Sequence, residues 1–306
     1  MLRIHRICYN FSMNLWLLSL VLFCNGPFAA SVNLRDPSTQ VEKVERREQA
    51  TPKIYTFFQL EKNPNGKMDK MKDHDLLLDN WSVAWSDAGW NPIVLDLDDA
   101  KQHPDFNYYN TEFLSRTSEE FQGSYNYLFF MRWLAIAAQK EDAWMAEYDT
   151  FPLIIQVEDG LNLPHRGKFI GFERFVPSLM SARASEWERV AKAVLDRGLQ
   201  KFDEDGPNVF YSDVLALKDA IKESPGKRLI KTKFQAVQYP YYEVTRMKCS
   251  KVKKMLVARL GHVYTERSYH GWYQIPRGDG RHKFVAEILK DWKKQFEKRM
   301  EHSCRV

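Results

Sequence analysis

Ala143-Trp144-Met145-Ala146-Glu147-Tyr148-Asp149-Thr150-Phe151-Pro152-Leu153 is the stretch from which the fold can be read. Glu147 and Asp149 stand two residues apart at the end of an apolar run. In a strand, residues so spaced face the same way. Pro152 follows at once and is expected to stop regular pairing. Two hard oxygen ligands on one face of a strand end suit a divalent cation that keeps several waters and takes its other ligands from a substrate's phosphates. They equally fit a strand end that carries two solvated acids. The flanking sequence decides between the two.

Upstream, strand and helix signals alternate. Lys53-Ile54-Tyr55-Thr56-Phe57-Phe58-Gln59 is a short aromatic and β-branched run before the loop residues Asn63-Pro64-Asn65-Gly66, and reads as a buried strand. From His74 to Ala88, residues Leu76, Leu77, Trp81, Ala84 and Trp85 recur at helical spacing, and Gly89 ends the helix. Pro92 to Leu97 forms a second strand running into Asp98 and Asp99. Ser124 to Ala138 is helical, with Tyr127, Phe130, Met131, Leu134 and Ala138 on one side, and Ala143 to Glu147 is the third strand. This alternation predicts an α/β fold: a mostly parallel, Rossmann-type sheet with helices on both faces. Ligands of such sheets bind at the carboxyl ends of strands, where Asp98, Asp99, Glu147 and Asp149 fall.

Downstream the pattern is a less regular α+β half. Lys168–Phe172 and Met255–Leu260 read as strands, Arg228–Val244 as a strand and a loop, and Ala184–Leu199 as a helix. Ser212–Ile221 reads as another helix, with Ser212 as N-cap. The last helix, Phe284–Met300, carries Phe284, Ile288, Leu289, Trp292 and Phe296 on one face and Lys290, Lys293, Lys294, Lys298 and Arg299 elsewhere. A basic helix of this kind can lie on a membrane. The default is that its apolar stripe packs on the domain.

The N-terminus reads as a targeting segment. Arg3, His5 and Arg6 precede the apolar run Leu15–Cys24, which Asn25-Gly26-Pro27 breaks before the small residues Ala29-Ala30-Ser31. Ten apolar residues fit a signal-peptide core, whereas a spanning helix needs about 20. An uncleaved anchor over Met13–Ala30 is the competing reading, and only then would the chain touch a membrane. Residues 1–31 are thus a signal, 32–52 a polar stem, and 53–306 one domain, with a first half at 53–155 and a second at 156–306. The body would face the secretory lumen, including the Golgi, or the outside. Of four cysteines only Cys249 and Cys304 lie beyond the signal, and an oxidising compartment would permit one disulfide that ties the tail to the body. No cysteine and histidine cluster has zinc spacing. Asn80-Trp81-Ser82 is a glycosylation sequon inside a helical stretch. The formal charge of +5, set against 45 basic and 40 acidic residues with no basic stripe, argues against nucleic acid. A composition 44% hydrophobic and 28% charged marks a globular chain.

Met131-Arg132-Trp133-Leu134-Ala135-Ile136-Ala137, followed after a short gap by Ala143–Leu153, resembles the sugar-nucleotide-binding segment of glycosyltransferases with a GT-A fold and a DxD motif. Trp85–Leu95 is similar to the helix, turn and strand that lead to their nucleoside pocket. The resemblance covers about residues 53–155, with weaker echoes in Phe175–Leu179 and Gly261-His262. It implies a metal-dependent transfer of sugar from a UDP- or GDP-sugar to a hydroxyl of a glycan or glycoprotein acceptor. It also implies that Glu147 faces ribose or metal, that Asp149 binds Mn2+ or Mg2+, and that Arg132 supports the donor site. Asp98 matches by location beside the nucleoside, and His262, with His270 a weaker choice, stands where some relatives place a metal-binding histidine. Here the first acid is glutamate in place of the commoner aspartate. Gln139-Lys140-Glu141-Asp142 replaces a frequent glycine pair, and Phe129 stands where an acid is usual.

The residues carry their own alternatives. Arg132 equally fits an ion pair with Glu147 or Asp149 that steadies its helix. Asp98 fits a solvated loop acid, His262 a structural histidine, and Glu186 a helix-start residue. Glu173, Glu186 and Asp213 are the candidate bases for an acceptor hydroxyl. Two other functions compete: a secreted carbohydrate-binding protein of the same fold without turnover, and a glycoside hydrolase with paired carboxylates. Acids on one side of a strand fit the hydrolase poorly.

Overall fold

The computed structural model describes residues 51–59, 74–122, 124–173, 175–222, 231–232, 237–238, 247–260 and 281–304, all within the unit Glu48–Val306. The elements run β1 (Lys53–Phe57), α1 (His74–Asp87), β2 (Asn91–Leu95), α2 (Leu97–Lys101), α3 (Phe106–Arg116), α4 (Glu119–Gln122) and α5 (Tyr125–Ala138). Then come β3 (Ala143–Ala146), β4 (Thr150–Pro152), α6 (Val157–Leu161), a 3-10 turn at Pro164–Gly167, β5 (Ile170–Glu173), β6 (Val176–Ala182) and α7 (Ala184–Asp205). The chain continues through α8 (Asp213–Lys222), β7 (Lys231–Thr232), β8 (Val237–Gln238), α9 (Cys249–Val252), β9 (Val257–Arg259) and α10 (Arg281–Ser303). Among these residues no helix is long and apolar enough to cross a membrane.

The fold is mixed α/β, as the alternation predicts. One sheet has the order β2-β1-β3-β6-β5-β7. β1 pairs in parallel with both β2 and β3. β6 runs antiparallel to β3 and β5, and β7 runs parallel to β5. All strands but β6 therefore share one direction, so β1, β2, β3 and β5 end on the same edge. A smaller sheet, β4-β9-β8, packs beside it.

Side-chain parity divides the core. Ile54, Trp144, Ala146, Ile170, Phe172 and Leu179 face a layer built by α1, Phe151, β9 and α10. Tyr55, Ala143, Met145, Phe169, Met180 and Ala182 face the opposite layer of α3, α5, α7 and α8. Both faces of the sheet are buried, which explains why its strands read as continuous apolar runs. α5 begins at Ser124, whose hydroxyl accepts from Asn126 N–H. Burial extends beyond the expected single side and takes in Arg132 through Ala137. α7 approaches α5 so closely at Gly198 that a methyl group there would lie 2.6 Å from the Phe130 ring.

Several boundaries differ from expectation. β3 stops at Ala146, so Glu147, Tyr148 and Asp149 form the turn into β4, closed by Thr150 N–H on the Glu147 carbonyl. Pro152 does not stop pairing. It sits on β4 opposite Val257, and β4 is an edge strand among the described residues, where a missing N–H is tolerated. Expected helix ends shift too: α7 runs six residues past Leu199. The α1 stop is as read. Gly89, at φ 83°, lets Trp90 N–H reach the Trp85 carbonyl and Gly89 N–H reach that of Ser86. α10 buries Leu289, Trp292 and Phe296 and leaves Lys290, Lys294 and Lys298 exposed, so its stripe packs on the domain. Cys249 and Cys304 are bonded, with Cα atoms 5.2 Å apart.

Candidate functional site

The shared carboxyl edge of the sheet collects acids from three places. Glu147 leaves β3, and its backbone N–H continues the β6 ladder onto the Ser178 carbonyl. Asp149 follows in the turn, and its carbonyl accepts from Leu260 N–H at the end of β9. Glu173 closes β5, beside an irregularity in its pairing with β6. Phe58, just past β1, meets the Tyr148 ring edge-on at 5.4 Å.

Two arginines join these acids. β4 pairs with β9 so that Thr150 opposes Arg259, which brings the guanidinium to the turn. Its Nη2 lies 2.5 Å from a Glu147 oxygen, Nη1 3.3 Å from Glu173 and Nε 3.7 Å from Asp149. Arg132 reaches Glu147 from below at 3.5 Å. Its main partner is Asp213 at the start of α8: Nε donates to Asp213 Oδ2 at 2.8 Å, Nη2 donates to the same oxygen, and Trp133 Nε1 adds a third donor at 2.9 Å. Asp213 is fully buried. Burial pushes its carboxyl up, while the charge of Arg132 and the donors on Trp133 and Arg132 pull it back.

The other expected site residues lie elsewhere. Asp98 is on the same edge, in the first turn of α2 capped by Asp96. Its carboxylate is 79% exposed and holds Lys101. Glu186 is on the opposite edge, because β6 is reversed and α7 starts from its far end. There it accepts from Phe169 N–H and from Arg189, and Arg189 holds its carboxyl below the usual range. His262 and His270 fall outside the described residues.

The sequence matches a family described as a domain of unknown function (DUF8765) over residues 16–272. The chain belongs to that family. Among curated proteins nothing matches it. A solved structure similar to this DUF8765 chain is described as the crystal structure of a glycosyltransferase involved in the glycosylation of the major capsid of PBCV-1. The two are 14% identical, with a TM-score of 0.39 over 72% of this chain and 98% of that one. So loose a superposition transfers no residue roles.

In the DUF8765 chain, then, the described residues bring Glu147, Asp149, Glu173 and Asp213 together with the guanidiniums of Arg132 and Arg259. No group of three or more His, Cys, Asp or Glu side chains among the described residues converges as a metal cage. Glu147 and Asp149 offer a pair of hard carboxylates, a set that takes Mg2+ or Mn2+ together with a substrate's phosphates. Arg259 holds both of these carboxylates in this structure, so the pair fits such an ion only where the guanidinium gives way. Arg259 is the residue that sequence reasoning missed. Its signal was a single cation inside the apolar strand Met255-Leu256-Val257-Ala258-Arg259-Leu260, since a charge in a buried strand needs a counter-charge.

Proposed function

We propose that this chain is a glycosyltransferase that moves a sugar from a UDP- or GDP-sugar to a hydroxyl of a glycan or glycoprotein in the secretory lumen. The observation that carries the reading is the meeting of Glu147, Asp149 and Glu173 at the carboxyl edge of a mostly parallel sheet, where ligands of such sheets bind. Glu147 and Asp149 would hold Mn2+ or Mg2+, whose chemistry is Lewis-acid stabilisation of the diphosphate that leaves. Glu173, alone among the three candidate bases, stands in this cluster and is the group we assign to take the acceptor's proton. Arg132, held by Asp213, fixes Glu147 from behind. The Cys249–Cys304 bond supports an oxidising compartment.

The test is thermal stability of the purified protein with UDP, GDP and their sugar conjugates, with Mn2+ and with chelator. The expected result is a nucleotide-dependent rise that chelator removes and that Asp149→Ala loses while keeping the fold. No rise with any nucleotide in a folded sample would favour the second reading, a carbohydrate-binding protein of this fold without turnover. One observation speaks for that reading: the protein's own arginine fills the space between the acids.

A further inference from the structure

We infer that Tyr125 and Phe129, on the first turns of α5, form an aromatic face on which a pyranose ring stacks beside Glu147. The inference rests on the proposal that this edge handles sugars, and names the side chains that grip the ring. The chain leaves α5 at Ala138 to enter β3 from the opposite edge, so the first turns of α5 stand at the carboxyl edge beyond Arg132. Tyr125, Phe129 and Arg132 are spaced i, i+4, i+7 and share one helix face. Their contacts follow from that spacing. The Tyr125 and Phe129 rings lie 6.2 Å apart with planes 28° from parallel, and the guanidinium carbon of Arg132 sits 5.0 Å from the Phe129 centroid. That same guanidinium lies 3.5 Å from Glu147. One side chain thus separates the aromatic face from the acid.

Phe129 is an exception on its helix. Every residue from Phe130 through Ala137 is buried, whereas Phe129 is 37% exposed. Covering Arg132 does not account for this, since a guanidinium needs only one face of a ring. Glu147, for its part, keeps 20% of its side chain open despite both arginines. An open aromatic ring beside an open carboxylate meets the two needs of a pyranose. The C–H face of the sugar is apolar and lies against the negative face of an aromatic ring, while its hydroxyls donate charge-assisted bonds to a carboxylate. A flat nucleobase is the competing occupant. An ionised carboxylate only accepts, which suits a ring with a hydroxyl donor on most of its carbons better than a base edge that mixes donors with acceptors.

The experiment compares the purified protein with Phe129→Leu, which keeps an apolar side chain over Arg132 but no ring, and with Phe129→Trp, which keeps a ring. In one arm, methyl pyranosides of glucose, galactose, mannose and N-acetylglucosamine are followed by saturation-transfer NMR, with neither nucleotide nor metal present. In the other, calorimetry compares UDP and GDP with their sugar conjugates. At least one pyranoside is expected to bind, or one conjugate to bind more tightly than its nucleotide. Phe129→Leu is expected to weaken that contribution of the sugar about three- to tenfold, and Phe129→Trp to retain it. A loss among the free pyranosides assigns the stacked ring to the acceptor, and a loss confined to the conjugates assigns it to the donor. Circular dichroism checks the fold, and Tyr125→Leu serves if Phe129→Leu does not fold. A sugar contribution that is absent in both arms, or unchanged in the folded leucine variant, would overturn the inference. So would an equal loss for the nucleotide alone, the mark of a stacked base. The pyranoside arm contains no nucleotide, so its outcome is independent of whether a donor binds.

Discussion

Asp213 offers the sharpest test of how the site is supported. Replacing it with alanine leaves the buried Arg132 without its principal partner and removes the acceptor of Trp133 Nε1–H. Breaking a buried ion pair by removing one partner costs about 3–5 kcal/mol. Here Glu147 at 3.5 Å remains as a second counter-charge for Arg132, which places the expected loss at the low end, about 3 kcal/mol. Asp213→Asn keeps the shape and one acceptor but loses the charge, and should cost about 1.5–3 kcal/mol, the scale of a hydrogen bond to a charged group. Urea unfolding followed by far-ultraviolet circular dichroism reads both as shifts in midpoint at constant slope. The double variant Arg132→Met, Asp213→Leu removes both charges, so its cost should fall well below the sum of the two single changes. A loss under about 1 kcal/mol for Asp213→Ala, or strict additivity in the double variant, would refute the view that this pair acts as one buried unit.

Three further outcomes are expected. Cys304→Ser opens a loop of sequence separation 55 and should lower stability by up to about 4 kcal/mol, matched in the wild type by a reducing agent and absent in the variant when reductant is added. Lys140 adopts φ 54° without being glycine, so Lys140→Gly should raise the unfolding midpoint by an amount worth about 1 kcal/mol. A fall would show that this turn carries no strain. Because Arg189 depresses the Glu186 carboxyl, the wild type should exceed Glu186→Gln in stability above the ordinary glutamate value. That advantage should vanish as pH falls through the lower, folded-state value. Stability curves of the two proteins between pH 7 and pH 3 check this.

Much of the first half was legible because its contacts are local or follow one period. Trp81 and Trp85 lie one helical turn apart, Gly89 takes the left-handed turn, and β1, β2 and β3 were read from short apolar runs. The site was half legible: Glu147 and Asp149 stood out by spacing, and Arg132 by its place on α5. Its remaining members depended on pairings distant in sequence. β6 was missed as a strand, since Val176–Ala182 begins beside a proline and is buried on both faces, leaving no alternation to read. With β6 went the reversal that sends Glu186 to the far edge. Arg259 reaches Glu147 across more than a hundred residues through the β4 and β9 pairing, and a periodicity confined to one segment carries no trace of that. Asp213 looked like a free carboxylate near a helix start until α8 packed it against Arg132 and Trp133.

The alternation along β3 has a consequence for which changes this chain can accept. Met145 enters the α5 layer and Trp144 and Ala146 the other, and Glu147 continues the count toward Arg132. Core packing and the position of the acid are thus set by the same even and odd numbering. A single-residue insertion or deletion in Ala143–Ala146 would turn the tryptophan into the wrong layer and swing the carboxylate away from Arg132 together. Length changes here should therefore be accepted only in pairs, and a homologue with an odd gap in this strand would be expected to lack the site as well as the packing.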